Sequence, residues 1–175
     1  MSSQAQQSIA EQAKPKKTAK GLVEYCQAQL GKPYWYGTFG QIATKQLLDA
    51  KRKQYPSYYK ADDFESQIGE RVHDCIGLIK GYVWSDTSTS KPVYKSNGFP
   101  DVSADTLYNM CERKDTSLGS LPEVAGVAVF MKGHVGIYIG NGEVIEARGH
   151  AYGVVKTKLA RRPWKRWAYI KGVKY

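Results

Sequence analysis

Cysteine is scarce in this chain of 175 residues, and its three copies, Cys26, Cys75 and Cys111, cannot all pair. Their spacing fits no C-x2-C zinc pattern either, so a disulfide framework and a structural zinc cluster are both excluded. Histidine is equally sparse, with three copies; no metal site and no cofactor is expected. Long apolar runs are missing. None approaches the roughly 20 residues of a membrane helix, so no membrane span is expected. The opening residues MSSQAQQSIAEQAKPKK also lack the apolar core of a secretory signal. The corresponding expectation is a cytosolic protein, or one that reaches an outside target by lysis or an unconventional route. Acidic residues are few, 16 against 26 Lys and Arg, and the formal charge of +10 predicts attraction to polyanions such as nucleic acid, acidic lipid or anionic cell-wall polymers.

What remains is ordinary globular material with one excess. Apolar residues make up 42%, while thirteen tyrosines lift the aromatic share to 12% and suggest a binding surface. Residues 1–17 are polar and are expected to form a disordered tail; residues 18–175 are long enough for one domain with a real core. Leu22, Val23, Cys26 and Leu30 recur at helical spacing behind Thr18, a good N-cap, which predicts a helix over 18–30. GKPYWYGTFGQ reads as a loop presenting aromatic rings, residues 42–53 as a second helix, and QYPSYYKADDFESQIG as a loop with one helical turn. Asp74 would cap a helix from Cys75 to about Asp86, and Ser103 a further one carrying Leu107, Met110 and Cys111. VAVFM, HVGIYIG, EVIEA, VVKTKL and WAYIK then read as strands, with Asn141-Gly142 as a hairpin turn. Helices followed by consecutive short strands define an α+β domain, the N-terminal helices packed on a central antiparallel sheet of about five strands.

One pair of residues carries chemistry. Cys75 is placed in a first helical turn, where the helix dipole favours a thiolate. A base is available at His134, at the start of the GHVGIYIG strand, if the helix packs against that strand. Glu146 on the neighbouring strand can orient the imidazole, with His150 as competitor; Arg148 shares the face of Glu146 by strand alternation. Arg148 is equally consistent with binding a substrate carboxylate or neutralising Glu146. Cys26 and Cys111 read as small buried hydrophobes and His73 as a surface or loop histidine. The segment ARRPWKRW mixes Trp164 and Trp167 with four cations and reads as a basic strand edge with its tryptophans packed inward.

Three motifs in order, GKPYWYG (31–37), DCIGL (74–78) and GHVGIYIG (133–140), make the chain resemble the NlpC/P60 family of cell-wall cysteine peptidases over about residues 18–175. The resemblance implies a papain-like α+β fold and hydrolysis of stem-peptide bonds in bacterial peptidoglycan, typically between γ-D-glutamate and a diamino acid. Nucleic acid is then not the expected partner. The resemblance also implies Cys75 as nucleophile, His134 as general base, Glu146 as third residue, and Tyr34 near the oxyanion. In some members the aspartate before the cysteine holds the substrate's free amino end, a part that would fall to Asp74.

The sequence departs from the family pattern at three places. A carboxylate, Glu146, stands where His, Asn or Gln is usual, and should raise the pKa of the histidine. Ile76 replaces the common serine after the cysteine. Residues 38–73 exceed the usual loop and hold Tyr55, Tyr58, Tyr59 and Phe64, which suit either a lid or substrate wall, or a flap that only adds core. Two other functions share these residues: an amidase or acyltransferase on another substrate, and a silent module that binds glycan or nucleic acid.

Overall fold

Thr18 caps the first helix as its sequence suggests: its side chain accepts a hydrogen bond from the Gly21 amide, and α1 runs Ala19–Ala28. The computed structural model describes residues 17–87 and 91–175. The expected disordered tail, residues 1–17, lies outside these residues except for Lys17, which lies over the Tyr82 ring and donates to the Ser85 carbonyl. Its own carbonyl accepts from the Lys174 amide at 2.8 Å, and the Ala19 amide donates to Lys174 O at 2.8 Å, so the two ends of the described chain lie side by side.

The loop GKPYWYGTFGQ holds more regular structure than expected. Within it begins β1 (Phe39–Ile42), which pairs antiparallel with β2 (Arg71–His73). Ile42 therefore belongs to a strand, and α2 starts later, at Lys45, running to Gln54 behind a Thr44 cap. The 55–70 stretch contains two single 3₁₀ turns, Pro56–Tyr58 and Phe64–Gln67. Trp35, Ala43, Leu48, Tyr59, Phe64 and Val72 form a small hydrophobic core of their own here. Of the aromatic residues in the insertion, Tyr59 and Phe64 are buried in this core, Tyr55 packs against it and Tyr58 stays exposed.

Helix α3 spans Gly77–Val83, shorter at both ends than the sequence suggests. Helix α4 (Ala104–Met110) is capped by Ser103, whose hydroxyl accepts from the Thr106 amide. The strands β3 (Lys114–Asp115), β4 (Ala128–Met131), β5 (His134–Gly140), β6 (Glu143–Ala147), β7 (Val154–Lys158) and β8 (Arg166–Ala168) follow. They form one antiparallel sheet in the order β3-β8-β4-β5-β6-β7. The sheet has six strands where about five were expected; two-residue β3 is too short to display alternation. Strand β8 is interior, between β3 and β4, and not the basic sheet edge that its composition suggests.

Alternation divides the sheet into two faces. Ala128, Phe130, Val135, Ile137, Ile145, Ala147 and Ala168 join α1, α3 and α4 in the main core. Val129, Tyr138, Val144 and Trp164 pack on the other face. Cys26 and Cys111 are buried thiols, as expected. No helix of the described residues is long and apolar enough to cross a membrane.

Candidate active site

Asp74 organises the segment that presents Cys75. Its Oδ1 accepts from the Gly77 amide at 2.6 Å and its Oδ2 from the Gly37 amide at 3.0 Å, while its carbonyl accepts from Leu78 N at 3.1 Å. One carboxylate thus caps α3 and fastens the GKPYWYG loop to it. The close approach demands glycine at two of these places. A Cβ on Gly77 would stand 1.9 Å from the Thr38 carbonyl oxygen, and Gly37 has φ +78°, a left-handed conformation that costs other residues more. Cys75 and Ile76 form the turn that leads into α3, so Cys75 sits just before the helix and not inside its first turn.

The Cys75 thiol meets the sheet where β5 begins: Sγ lies 3.9 Å from the Gly133 carbonyl oxygen. Burial pushes the thiol up to about 12, and the Asp74 carboxylate adds to the rise, against backbone N–H groups at Val135, Ile76 and Cys75. Loss of water around the half-buried thiol and the Asp74 charge both favour the protonated form, in opposition to the helix dipole, which favours a thiolate. Gly133 itself is anchored from α4, its amide donating to Asp105 Oδ1 at 3.0 Å, an oxygen that also receives Arg166 at 3.1 Å.

His134 is the first residue of β5. Its Nε2 lies 2.9 Å from Glu146 Oε1, which turns the other ring nitrogen, Nδ1, away from that carboxylate. The ring stacks on Trp164, centroids 5.4 Å apart and 13° from parallel. Gly136, one alternation further along, makes room for that indole: a Cβ there would stand 2.9 Å from Trp164 Cη2 and 2.7 Å from Val144 Cγ1.

Glu146 has no exposed surface. Besides His134 it accepts Thr157 Oγ1 at 2.7 Å and a fork from Arg162, whose Nη2 lies 2.7 Å from Oε1 and whose Nε lies 3.1 Å from Oε2. Burial alone would raise this carboxyl, but the hydrogen bonds from His134, Arg162 and Thr157 overcome it and hold it at about 2. Arg162 and Thr157 were not singled out in the sequence. The only signal for Arg162 was its place in ARRPWKRW, where it looks like one surface cation among several.

Other candidates lie elsewhere. His150 Nε2 donates to Asp63 Oδ1 at 2.6 Å and the ring stacks on Phe64, so it is bonded to the insertion and not to His134. Arg148 lies over the Tyr152 ring, 4.1 Å from its centroid, and Glu146 is neutralised by Arg162 instead. His73 is fully buried and bonds Tyr25 Oη at 2.7 Å; it belongs to β2 and not to a surface loop. Tyr34 is bridged to His73, and burial followed by the charges of Cys75 and Asp74 pushes its hydroxyl far above the ordinary range, which places it in the electrical neighbourhood of the thiol. Among the described residues no group of three or more His, Cys, Asp or Glu has the arrangement of a metal site.

The fold, with its α-helices packed on an antiparallel sheet, is that of the NlpC/P60 domains. The P60 domain of an antigen from M. avium subspecies paratuberculosis superposes with a TM-score of 0.52 at 23% identity, over 90% of this chain and 96% of that one. The NlpC/p60 domain of the peptidoglycan hydrolase SagA gives 0.50 at 14% identity, over 87% and 99%. NlpC2 from Trichomonas vaginalis gives 0.54 at 15% identity over 91% of this chain, which spans about half, 49%, of that protein. No protein-family model matches the chain, and no curated protein matches it.

Proposed function

We propose that this chain is a cysteine peptidase of bacterial peptidoglycan, hydrolysing stem-peptide amide bonds through an acyl-enzyme. The observation that carries the reading is the His134 ring fixed by a buried carboxylate at the strand start that Cys75 touches. Cys75 Sγ attacks the scissile carbonyl carbon as its proton passes to His134 Nδ1. Glu146 holds the imidazole in orientation and stabilises the imidazolium that forms. The Cys75 amide and the Tyr34 hydroxyl receive the developing oxyanion. Collapse expels the amine, which takes the proton back from His134; water, deprotonated by the same ring, then releases the acid and the free thiol. Because the resting thiol is neutral, proton transfer accompanies attack rather than preceding it.

The γ-D-glutamyl to diamino-acid bond is the proposed target, supported by the family resemblance of the three motifs. Digestion of purified peptidoglycan followed by mass spectrometry tests the reading. Wild type is expected to release stem-peptide fragments with new amine and carboxyl ends, and Cys75→Ala to release none. Identical products from the two proteins would overturn it.

A further inference from the structure

We infer that Lys51 binds a carboxylate carried by the substrate beside its scissile bond, so that the enzyme selects stem peptides bearing a free acid over their amidated counterparts. The inference rests on the peptidase reading above and names a specificity that the reading leaves open.

The insertion places α2 directly against the loop that borders Cys75. From the point where a Cβ on Gly37 would stand, Lys51 Nζ is 3.4 Å away and Tyr55 Cε2 is 2.7 Å away. Gly37 in turn donates to Asp74, the residue before the nucleophile. The ammonium therefore lies against the loop that Asp74 fastens to the segment presenting Cys75. The wall around it is held firmly. Tyr36 stacks on Tyr58 with centroids 3.6 Å apart and meets Tyr55 edge-on, and Tyr59 Oη donates to the Tyr36 carbonyl at 2.5 Å.

Lys51 is oriented but not neutralised. It donates to Gln54 Oε1 at 3.3 Å and lies 5.5 Å from the Tyr55 ring centroid, both neutral partners. Two other cations of α2 are paired, Lys45 with Asp49 and Arg52 with Glu65. The nearest acid of the site, Asp74, already gives both oxygens to backbone amides. Half-burial lowers the affinity of Lys51 for its proton, with Asp74 acting the other way. A partly desolvated ammonium that hydrogen-bonds only to a neutral group, with Asp74 and Asp101 acting on it through their charge alone, gains more from a direct carboxylate contact than an exposed lysine does.

The substrate class supplies such a group. When a glutamyl residue is linked through its γ-carboxyl, its α-carboxyl leaves the main chain and projects a few bonds from the scissile carbonyl. Amidation of that carboxyl removes the charge and leaves the shape. An ammonium at this wall reads that difference, and it also disfavours a substrate ammonium at the same place.

The test uses two synthetic peptides that differ only in an α-carboxylate or α-carboxamide on the γ-linked D-glutamyl residue. A charge-assisted hydrogen bond predicts a wild-type preference for the acid of about 10- to 100-fold in kcat/KM, carried mainly by KM. Lys51→Met should bring the ratio of the two kcat/KM values close to one, and Lys51→Arg should restore most of it, with thermal unfolding showing both variants folded. A wild-type ratio near one, or a Lys51→Met enzyme that keeps the wild-type ratio, overturns the inference and leaves the peptidase reading standing. If folded wild type cleaves neither peptide nor peptidoglycan, the peptidase reading falls and the inference with it.

Discussion

Glu146→Gln is the most informative single substitution, because the structure says which parts of the site it spares. Oε1 receives His134 Nε2 at 2.9 Å and Arg162 Nη2 at 2.7 Å, both donors, so the amide oxygen of the glutamine belongs there. The amide nitrogen then takes the Oε2 position, where the Thr157 hydroxyl can turn to accept it; the one mismatch is Arg162 Nε at 3.1 Å. The imidazole keeps its orientation and tautomer, and what is lost is charge. A hydrogen bond to a charged group is worth about 1.5–3 kcal/mol, so the imidazolium of the transition state should lose that much, a fall of about 10- to 150-fold in kcat/KM. Arg162 is left as a mostly buried cation without its carboxylate, which costs additional stability. The pH dependence of stability should change with it. Glu146 has a folded pKa lowered from 4.5 to about 2. Its contribution is therefore fully present above about pH 4.5 and is lost as pH falls toward 2, on the order of 3 kcal/mol. The assays are kcat/KM on a defined stem peptide and denaturant unfolding between pH 7 and 3. A folded Glu146→Gln enzyme with wild-type kcat/KM would refute the reasoning.

Three further outcomes follow from the geometry. With its thiol pushed up to about 12, Cys75 in the free enzyme should react with iodoacetamide at a rate that climbs about tenfold per pH unit through pH 9; a plateau near neutrality would instead reveal a standing thiolate. Gly136→Ala should cost about 1–3 kcal/mol and slow hydrolysis, because the added methyl displaces Trp164 from under His134; unchanged melting temperature and rate would count against that packing role. His73, held neutral by burial with its pKa lowered to about 3, binds its proton more readily in the unfolded chain. Stability should therefore fall by about 1.4 kcal/mol per pH unit as pH drops from about 6 toward 3, and His73→Gln should flatten that slope in urea titrations; an unaltered slope would show that other groups set it.

The elements with strong local signals were legible in the sequence. Thr18 and Ser103 cap where their side chains and the following apolar spacing put them, and the Asn141-Gly142 hairpin sets β5 against β6. Glu146 as the partner of His134 was suggested by its place on the neighbouring strand, and the register of the hairpin, Ile137 opposite Ile145, puts the two on one sheet face. What was hidden depends on long-range contact. His73 looked like a loop residue because three-residue β2 exists only by pairing with β1. Arg162 looked like a surface cation because nothing local distinguishes it from Arg161, and only the fold turns it onto a buried carboxylate. The surroundings of the Cys75 thiol were hidden for a related reason: helix position is local, while the contact with Gly133 comes from the sheet.

The hydrogen bonds that join Lys17 and Ala19 to Lys174 make the backbone of this domain almost a closed ring. A short linker between the two ends would complete it, and the exposed bend at residues 60–62 offers a place to open it again. The order in which the segments of the site are synthesised is then separable from their placement in space: a circularly permuted chain beginning at Asp62 would carry Cys75 near its front, His134 near its middle and Tyr34 toward its end, and still assemble the same site.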